Sequence, residues 1–142
     1  MSSGIKKINI LFIIFFSFLL VSCSGTGTKT RPTISTTGTG NTTIYFTREG
    51  GFVASGVLAK IEVNGSEIAQ LGVNEYITSN VTGNYRIKVS GAGIGGFGMG
   101  TDSTSGVADG KNYFYIIGVK QSLFSTKFTI NETTESGYKQ SQ

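Results

Sequence analysis

Short apolar segments with alternating side chains recur along residues 41–131, and polar or glycine-containing turns separate them. Alternation with a period of two places successive side chains on opposite faces of a strand. No stretch of this region carries the 3.6-residue period of an amphipathic helix. The pattern predicts about seven short strands, at 42–48, 57–63, 67–71, 76–81, 85–89, 113–119 and 123–130.

The turns and the apolar faces of these strands predict how they pair. Asn64-Gly65 lies between two alternating segments, and both central residues of a type I′ hairpin turn need positive φ. Residues 113–119 are apolar on both faces, which is typical of a central strand. In the last strand we expect Phe124, Phe128 and Ile130 to face the core. The sequence therefore predicts an all-β fold, an antiparallel β-sandwich, with a partly open barrel as the alternative.

The amino-terminal segment has the pattern of an export signal. Lys6 and Lys7 precede an apolar segment, residues 8–21. A membrane-spanning helix needs about 20 apolar residues, so this shorter segment is typical of the centre of a secretory signal peptide. The alternatives are a retained membrane anchor and an ordinary signal peptide with an incidental cysteine.

Leu20-Val21-Ser22-Cys23 resembles the bacterial lipobox, in which two aliphatic or small residues and one small residue precede a cysteine. The resemblance implies that the Cys23 thiol receives a diacylglyceryl group, that residues 1–22 are removed, and that the new amine is acylated, for example with palmitate. Ser24 at the next position implies the periplasmic side of the outer membrane in a Gram-negative cell, rather than the inner membrane. The membrane is thus a predicted partner through Cys23.

The rest of the chain divides into three predicted parts. Residues 23–40 are rich in Gly, Ser and Thr and predict a flexible tether after the lipidated cysteine. Residues 41–131 form the β-sandwich domain. Residues 132–142 are polar and predict a disordered tail.

Missing residue types exclude several kinds of site. The chain has no His, which removes the commonest general base and any Ser-His-Asp triad. Cys23 is its only cysteine, so the domain has neither a disulfide nor a free thiol nucleophile. Without Lys6 and Lys7, 10 basic residues remain against 8 acidic ones, and this near-neutral balance argues against a nucleic-acid partner. We expect the scattered basic residues on solvated strand faces: Arg48, Lys60, Arg86, Lys88, Lys111 and Lys120.

The strand and turn pattern of the domain also has a family resemblance. The first strand, IYFTR, the hairpin IEVNGSEIAQL and the segment EYITSNVTGNYRIKV resemble small bacterial lipoprotein domains classed only as a domain of unknown function. The chain is also similar to PEGA-type sandwich repeats, in which a glycine turn precedes an aromatic strand; here Thr82-Gly83 stands where Pro-Gly is usual. The resemblance implies an envelope-anchored sandwich and no catalytic residues.

The segment GAGIGGFGMG, residues 91–100, is the main candidate site. It predicts a mobile loop that exposes Ile94, Phe97 and Met99 to a partner or a lipid surface. The alternative is a glycine-rich stretch that lets another backbone pack closely. Its formal G-x-G-x-x-G motif is followed by the polar residues 101–106, expected as a loop, and a dinucleotide site would need a helix there.

The acidic residues offer weaker candidates for chemistry. Glu62 and Glu67 flank the Asn64-Gly65 turn, and paired carboxylates can hydrolyse glycosides without histidine. Asp102 and Asp109 do not have the spacing of an EF-hand loop, so we predict no metal and no cofactor. We expect a non-catalytic binding module that uses strand edges and residues 91–110 to contact an envelope protein or glycan. The alternatives are a carboxylate-dependent hydrolase of envelope polymers, with Glu75 as a further candidate acid, and a structural subunit.

Overall fold

The computed structural model describes residues 25–36, 38–51 and 53–141, and these form two four-stranded sheets packed face to face. The predicted signal and Cys23 lie outside the described residues. The strands are β1 (Asn41–Arg48), β2 (Ala59–Val63), β3 (Ser66–Leu71), β4 (Tyr76–Thr82), β5 (Asn84–Gly91), β6 (Asp102–Val107), β7 (Asn112–Gln121) and β8 (Thr126–Thr133). A short helix, α1 (Glu135–Gln140), follows β8, and Ile94–Gly96 forms a 3₁₀ turn.

The first sheet has the order β4-β1-β7-β8 and the second the order β3-β2-β5-β6. The prediction of an all-β sandwich is confirmed, and β7 is a central strand as expected. One pair differs from the expected antiparallel arrangement, because β1 and β7 run parallel, with Ile44 opposite Tyr113. The remaining strand pairs are antiparallel.

The core between the sheets follows the alternation of the strands. Inward-facing side chains of β1, β2, β3, β5, β7 and β8 form one buried cluster, built around Ile44, Phe46, Ile61, Leu71, Ile87, Val89, Ile117 and Phe128. The predicted hairpin turn is also present, since Asn64 and Gly65 have φ of 51° and 81°. This turn sets β2 against β3, with a bulge between Ile61 and Glu62.

One strand, β6, was not predicted, since we expected a loop at residues 101–106. Its sequence, DSTSGV, has no large apolar residue before Val107. It is an edge strand whose backbone pairs with β5 from Asp102 opposite Val89 to Val107 opposite Asn84. Main-chain hydrogen bonds need no apolar side chains, so the alternation carried no signal for this strand.

A second buried cluster lies on the outer face of the first sheet. It contains Tyr45, Tyr76, Phe114 and Tyr138, with Ile34 packed against it. The rings of Tyr45 and Phe114 stack at 5.1 Å between centroids, and Tyr138 meets Phe114 at 5.4 Å. The segment before β1 and helix α1 therefore cover this face of the sandwich.

This cluster corrects two expectations about the chain ends. The described part of the expected tether contacts the domain, because Ile34 adds apolar area and Ser35 N–H donates to the Tyr45 hydroxyl at 3.1 Å. The expected disordered tail contains the end of β8 and helix α1, which Thr134 caps by accepting from Gly137 N–H at 3.1 Å. Fully buried Tyr138 holds this helix to the sheet.

Candidate functional site

One end of the sandwich gathers most of the unusual features of the molecule. We call it the Arg48 end, because β1 ends there at Arg48. The parallel and antiparallel registers place the end of β7 and the starts of β4 and β8 at the same end. In the second sheet, Ala59 pairs with both Leu71 and Gly91, so β3 and β5 end there too.

Two loops at the Arg48 end carry exposed apolar side chains. Ile94 and Phe97, in the loop between β5 and β6, are 96% and 92% exposed. Leu123 and Phe124, in the hairpin turn between β7 and β8, are 93% and 98% exposed. We call these four side chains the apolar rim. They are the described large apolar side chains that are more than nine-tenths exposed.

The site prediction from sequence was right about exposure for two of its three residues. Ile94 and Phe97 project into solvent, but Met99 is half-buried and packs against the core between the sheets. Phe124 corrects an expectation, since we expected it inward with Phe128 and Ile130. The strand begins only at Thr126, so Phe124 lies in the turn and outside the alternating register.

The two loops are joined by backbone hydrogen bonds. Gly100 N–H donates to the Thr126 carbonyl at 2.9 Å, and Phe128 N–H donates to the Gly100 carbonyl at 3.2 Å. Phe97 and Met99 line one side of an open depression of about 380 Å³, and Leu123 and Phe124 line the other side. The rim is therefore one continuous surface built from two loops.

Close backbone packing shapes the first loop. A Cβ at Gly91 would lie 2.5 Å from the Cα of Gly96, a distance that no real side chain tolerates. The alternative interpretation of the glycine-rich segment is thus also present, because the loop folds back onto the end of β5. The 3₁₀ turn at Ile94–Gly96 then directs Ile94 and Phe97 outward.

The amino-terminal segment reaches the domain at this same end. Thr26 N–H donates to the Gln70 carbonyl at 2.8 Å, and Gln70 N–H donates to the Thr26 hydroxyl at 2.9 Å. Thr28 and Tyr76 exchange two backbone hydrogen bonds of 2.9 Å. These bonds occupy backbone groups at the edges of β3 and β4, where we had expected a free edge for a partner.

The buried carboxylate of Glu75 holds the first described residue. Glu75 is 1% exposed and accepts from Gly72 N–H at 2.8 Å and from Gly25 N–H at 3.0 Å. The Lys29 ammonium lies 3.2 Å from the same carboxylate. Two amides and one cation thus compensate the buried charge. Glu75 has a structural role here, and its oxygens do not face a cleft.

Arg48 corrects the expectation of a solvated strand position, since it is 2% exposed. Its guanidinium donates to the carbonyls of Val57, of Leu71 at 3.0 Å, and of Ala54 at 2.6 Å. It also lies 5.2 Å from the centroid of the Phe128 ring. Burial lowers the pKa of Arg48, and the nearby charge of Glu75 acts in the opposite direction. Arg48 therefore joins the 49–58 segment to both sheets.

Of the other acidic candidates, Glu62 and Glu67 are cross-strand neighbours, and Glu62 is also close to two lysines. Glu62 faces Glu67 across the hairpin, and its carboxylate lies 3.7 Å and 3.8 Å from the ammonium groups of Lys60 and Lys88. The surface depression beside this turn is lined by Glu62 and not by Glu67. Within the described ranges, no group of three potential metal ligands is present.

Asp102 and Asp109 lie at opposite ends of β6. Asp102 accepts from Ile130 N–H at 3.0 Å and so joins β6 to β8 across the open side of the sandwich. Asp109 accepts from Lys111 N–H at 3.1 Å and from the Tyr113 hydroxyl at 3.0 Å. Although partial burial acts to raise it, these hydrogen bonds lower the pKa of Asp109. The carboxylates of both aspartates therefore accept hydrogen bonds from within the fold.

Comparison with family models, with curated proteins and with solved structures finds no significant match to this chain. The resemblance to small lipoprotein domains therefore stays a prediction. Among the residues that the structure describes, no helix has the length and apolar character needed to cross a membrane.

Proposed function

We propose that this protein is a lipid-anchored domain of the bacterial cell envelope that binds other molecules through the Arg48 end and performs no catalysis. Residues 1–22 would direct export, and Cys23 would carry the lipid. In a Gram-negative cell the domain would face the periplasm from the outer membrane. The lipobox pattern Leu20-Val21-Ser22-Cys23 supports the anchor, together with the short apolar segment before it.

The observation that carries the binding role is the apolar rim. Soluble domains rarely gather large, almost fully exposed apolar side chains on adjacent loops unless a partner or a membrane covers them. Phe97 and Phe124 are more than 90% exposed, although other aromatic residues, such as Phe46 and Phe128, are buried in the core. Their exposure therefore favours contact with another surface over a role in stability.

The arrangement of acidic residues supports a binding role over the hydrolase alternative. Hydrolysis by paired carboxylates requires two acids converging on one bond, about 5–9 Å apart. Three surface depressions lined by described residues each contain at most one of Glu62, Glu67, Glu75, Asp102 and Asp109. No described observation favours hydrolysis. The structural-subunit alternative is tested by measuring the size of the purified protein in detergent, which distinguishes a self-assembling subunit from a monomeric binder.

Metabolic labelling tests the anchor. Cells that express the full chain are grown with a radiolabelled fatty acid, and the protein is recovered and compared with a Cys23→Ser variant. The wild-type protein is expected to carry label and the variant to carry none. Ser22→Ala is the matched control, because it keeps the thiol and a small residue before it. Equal labelling of wild type and Cys23→Ser would refute the proposal.

A further inference from the structure

We infer that the apolar rim rests in the surface of the same bilayer that holds Cys23, so that the domain lies directly on the membrane. This inference rests on the proposed lipidation of Cys23 and names the partner of the rim. It replaces the expectation that residues 23–40 form a flexible tether between the lipid and the domain.

The first step is where the chain reaches the domain. Gly25 is fixed at the Arg48 end by the Glu75 carboxylate, and Thr26 is bonded to Gln70 beside it. Cys23 precedes Gly25 by two residues, and consecutive Cα atoms are 3.8 Å apart, so their Cα atoms lie within about 7 Å of each other. A lipid on Cys23 therefore brings the bilayer to the Arg48 end, because Ser24 is the single residue between Cys23 and Gly25.

The second step is the position of the rim relative to this point. Gly25 lies beside β3 and β4, which are the edge strands on one side of the two sheets. The rim lies on the connections of β5 with β6 and of β7 with β8, toward the other side. Each sheet has four strands, and neighbouring strands are about 4.8 Å apart, so the width between these sides is only about 15 Å. One flat surface across the Arg48 end can touch both.

The third step is the chemistry of the two loops. Ile94, Phe97, Leu123 and Phe124 are the kinds of side chain that enter the headgroup and acyl boundary of a bilayer. Residues 92–101 and 121–126 contain no Asp or Glu, so the two loops themselves carry no carboxylate. Lys120 and Lys127 lie opposite each other next to the hairpin, and they can pair with anionic headgroups.

The bilayer is favoured over a protein partner because the anchor holds it beside the rim at all times. A surface tethered within a few residues has a high effective concentration, so weak insertion of four side chains is sufficient. A soluble partner would have to compete with this permanent neighbour.

Tryptophan scanning tests the inference, since the chain contains no Trp. Phe97→Trp and Phe124→Trp place single reporters in the rim and keep its apolar character. Val107→Trp is the matched control, because Val107 is a 61% exposed apolar residue at the opposite end of β6. Each full-length variant is purified from membranes with its lipid and reconstituted into vesicles of phosphatidylcholine and phosphatidylglycerol, with or without brominated acyl chains.

The expected result is a blue shift and loss of emission in brominated vesicles for the reporters at 97 and 124, with little change at 107. Rim reporters that behave like the control at 107 would overturn the inference. Shielding of the rim reporters in native membranes but not in pure lipid would identify a protein partner and would also overturn it.

A second measurement uses the unsubstituted chain, in case a variant does not fold. A photoactivatable phospholipid in the same vesicles is expected to cross-link residues 92–101 and 122–126, and not residues 104–111. Cross-links confined to other surfaces would contradict membrane contact by the rim. The mass of the purified protein reports the lipid on Cys23 independently, so loss of the anchor and loss of rim contact are distinguishable.

Discussion

The carboxylate of Glu75 accepts a hydrogen bond of 3.0 Å from the backbone N–H of Gly25, two residues after the predicted lipidation site. The same carboxylate accepts from Gly72 N–H at 2.8 Å. One buried side chain thus connects the amino-terminal segment to the turn between the two sheets. In the proposed arrangement, the orientation of the domain on the membrane depends on this connection.

Replacing Glu75 with Gln is expected to weaken the connection between Gly25 and the turn at Gly72. The amide can accept for only one of the two N–H groups and presents a donor to the other, which costs about 2–3 kcal/mol of unfolding free energy. Urea titration of the detergent-solubilised chain, followed by circular dichroism, measures this loss, and faster hydrogen exchange at residues 25–28 should accompany it. Glu67→Gln, at an exposed position, should stay within about 0.5 kcal/mol of wild type. Equal stability of the two variants would show that Glu75 does not hold the segment.

Substitution of Arg48 is expected to lower the unfolding free energy more than the same substitution of Arg86. Arg48→Met keeps much of the side-chain volume but removes the donors to the Val57, Leu71 and Ala54 carbonyls. Leaving these buried acceptors without partners should lower the unfolding free energy by about 2–4 kcal/mol. The same denaturant titration applied to Arg86→Met, at an exposed position of β5, should give a change below about 0.5 kcal/mol. A similar small change for Arg48→Met would contradict the joining role.

The contact between Gly91 and Gly96 is expected to control the shape of the first rim loop. Gly96→Ala places a methyl group against the Gly91 backbone and should cost about 1–3 kcal/mol of unfolding free energy, because backbone on both sides has to move. Gly56→Ala is the control, since a Cβ there meets no atom within 4 Å. Thermal unfolding checks both variants, and a Gly96→Ala protein as stable as the control would show that the loop does not need this approach.

Strands with an apolar alternating face could be predicted from sequence, and β6 could not. The apolar residues of β1, β2 and β5 face the core at the expected positions, whereas β6 is held by its backbone pairing with β5. The segment before β1 and helix α1, which cover the outer face of the first sheet, were missed for another reason. Ile34 and Tyr138 are single apolar residues in polar surroundings, and they are buried only because Tyr45 and Phe114 leave the outer face of the sheet apolar.

Two of the four residues of the apolar rim could be predicted from the sequence. Ile94 and Phe97 lie in a glycine-rich stretch that cannot alternate like a strand, which marked them as exposed. Leu123 and Phe124 continue the alternating pattern of β8, but hydrogen bonds between Ser122 and Ser125 make this part a turn, among them Ser122 N–H to the Ser125 carbonyl at 2.8 Å. Serine residues on both sides of the Leu-Phe pair were the available signal for that turn.

Tyr138 should tolerate the loss of its hydroxyl but not of its ring. The ring is fully buried among Tyr45, Tyr76 and Phe114, and the buried hydroxyl has no hydrogen-bond partner among the described residues. Tyr138→Phe should therefore leave the unfolding free energy nearly unchanged, whereas Tyr138→Ala should lower it by about 3–5 kcal/mol. Denaturant titration at neutral pH makes the comparison.

The same pair of proteins predicts a difference at alkaline pH. Burial raises the pKa of Tyr138 above its ordinary value of 10.0. A group whose pKa is raised by folding stabilises the fold below its ordinary pKa, and this contribution is lost as the pH rises through the folded-state pKa. As the pH rises above about 10, wild type should lose more stability than Tyr138→Phe. Equal losses would show that Tyr138 is not titrating in a buried site.

The intact mass of the mature protein, purified from bacterial membranes, tests lipid anchoring at Cys23 most directly. The predicted mass is that of residues 23–142 with a diacylglyceryl group on the Cys23 sulfur and an acyl chain on its amine. A protein with an unmodified Cys23, or one that still contains residues 1–22, would contradict the lipid anchor and with it the membrane contact of the apolar rim.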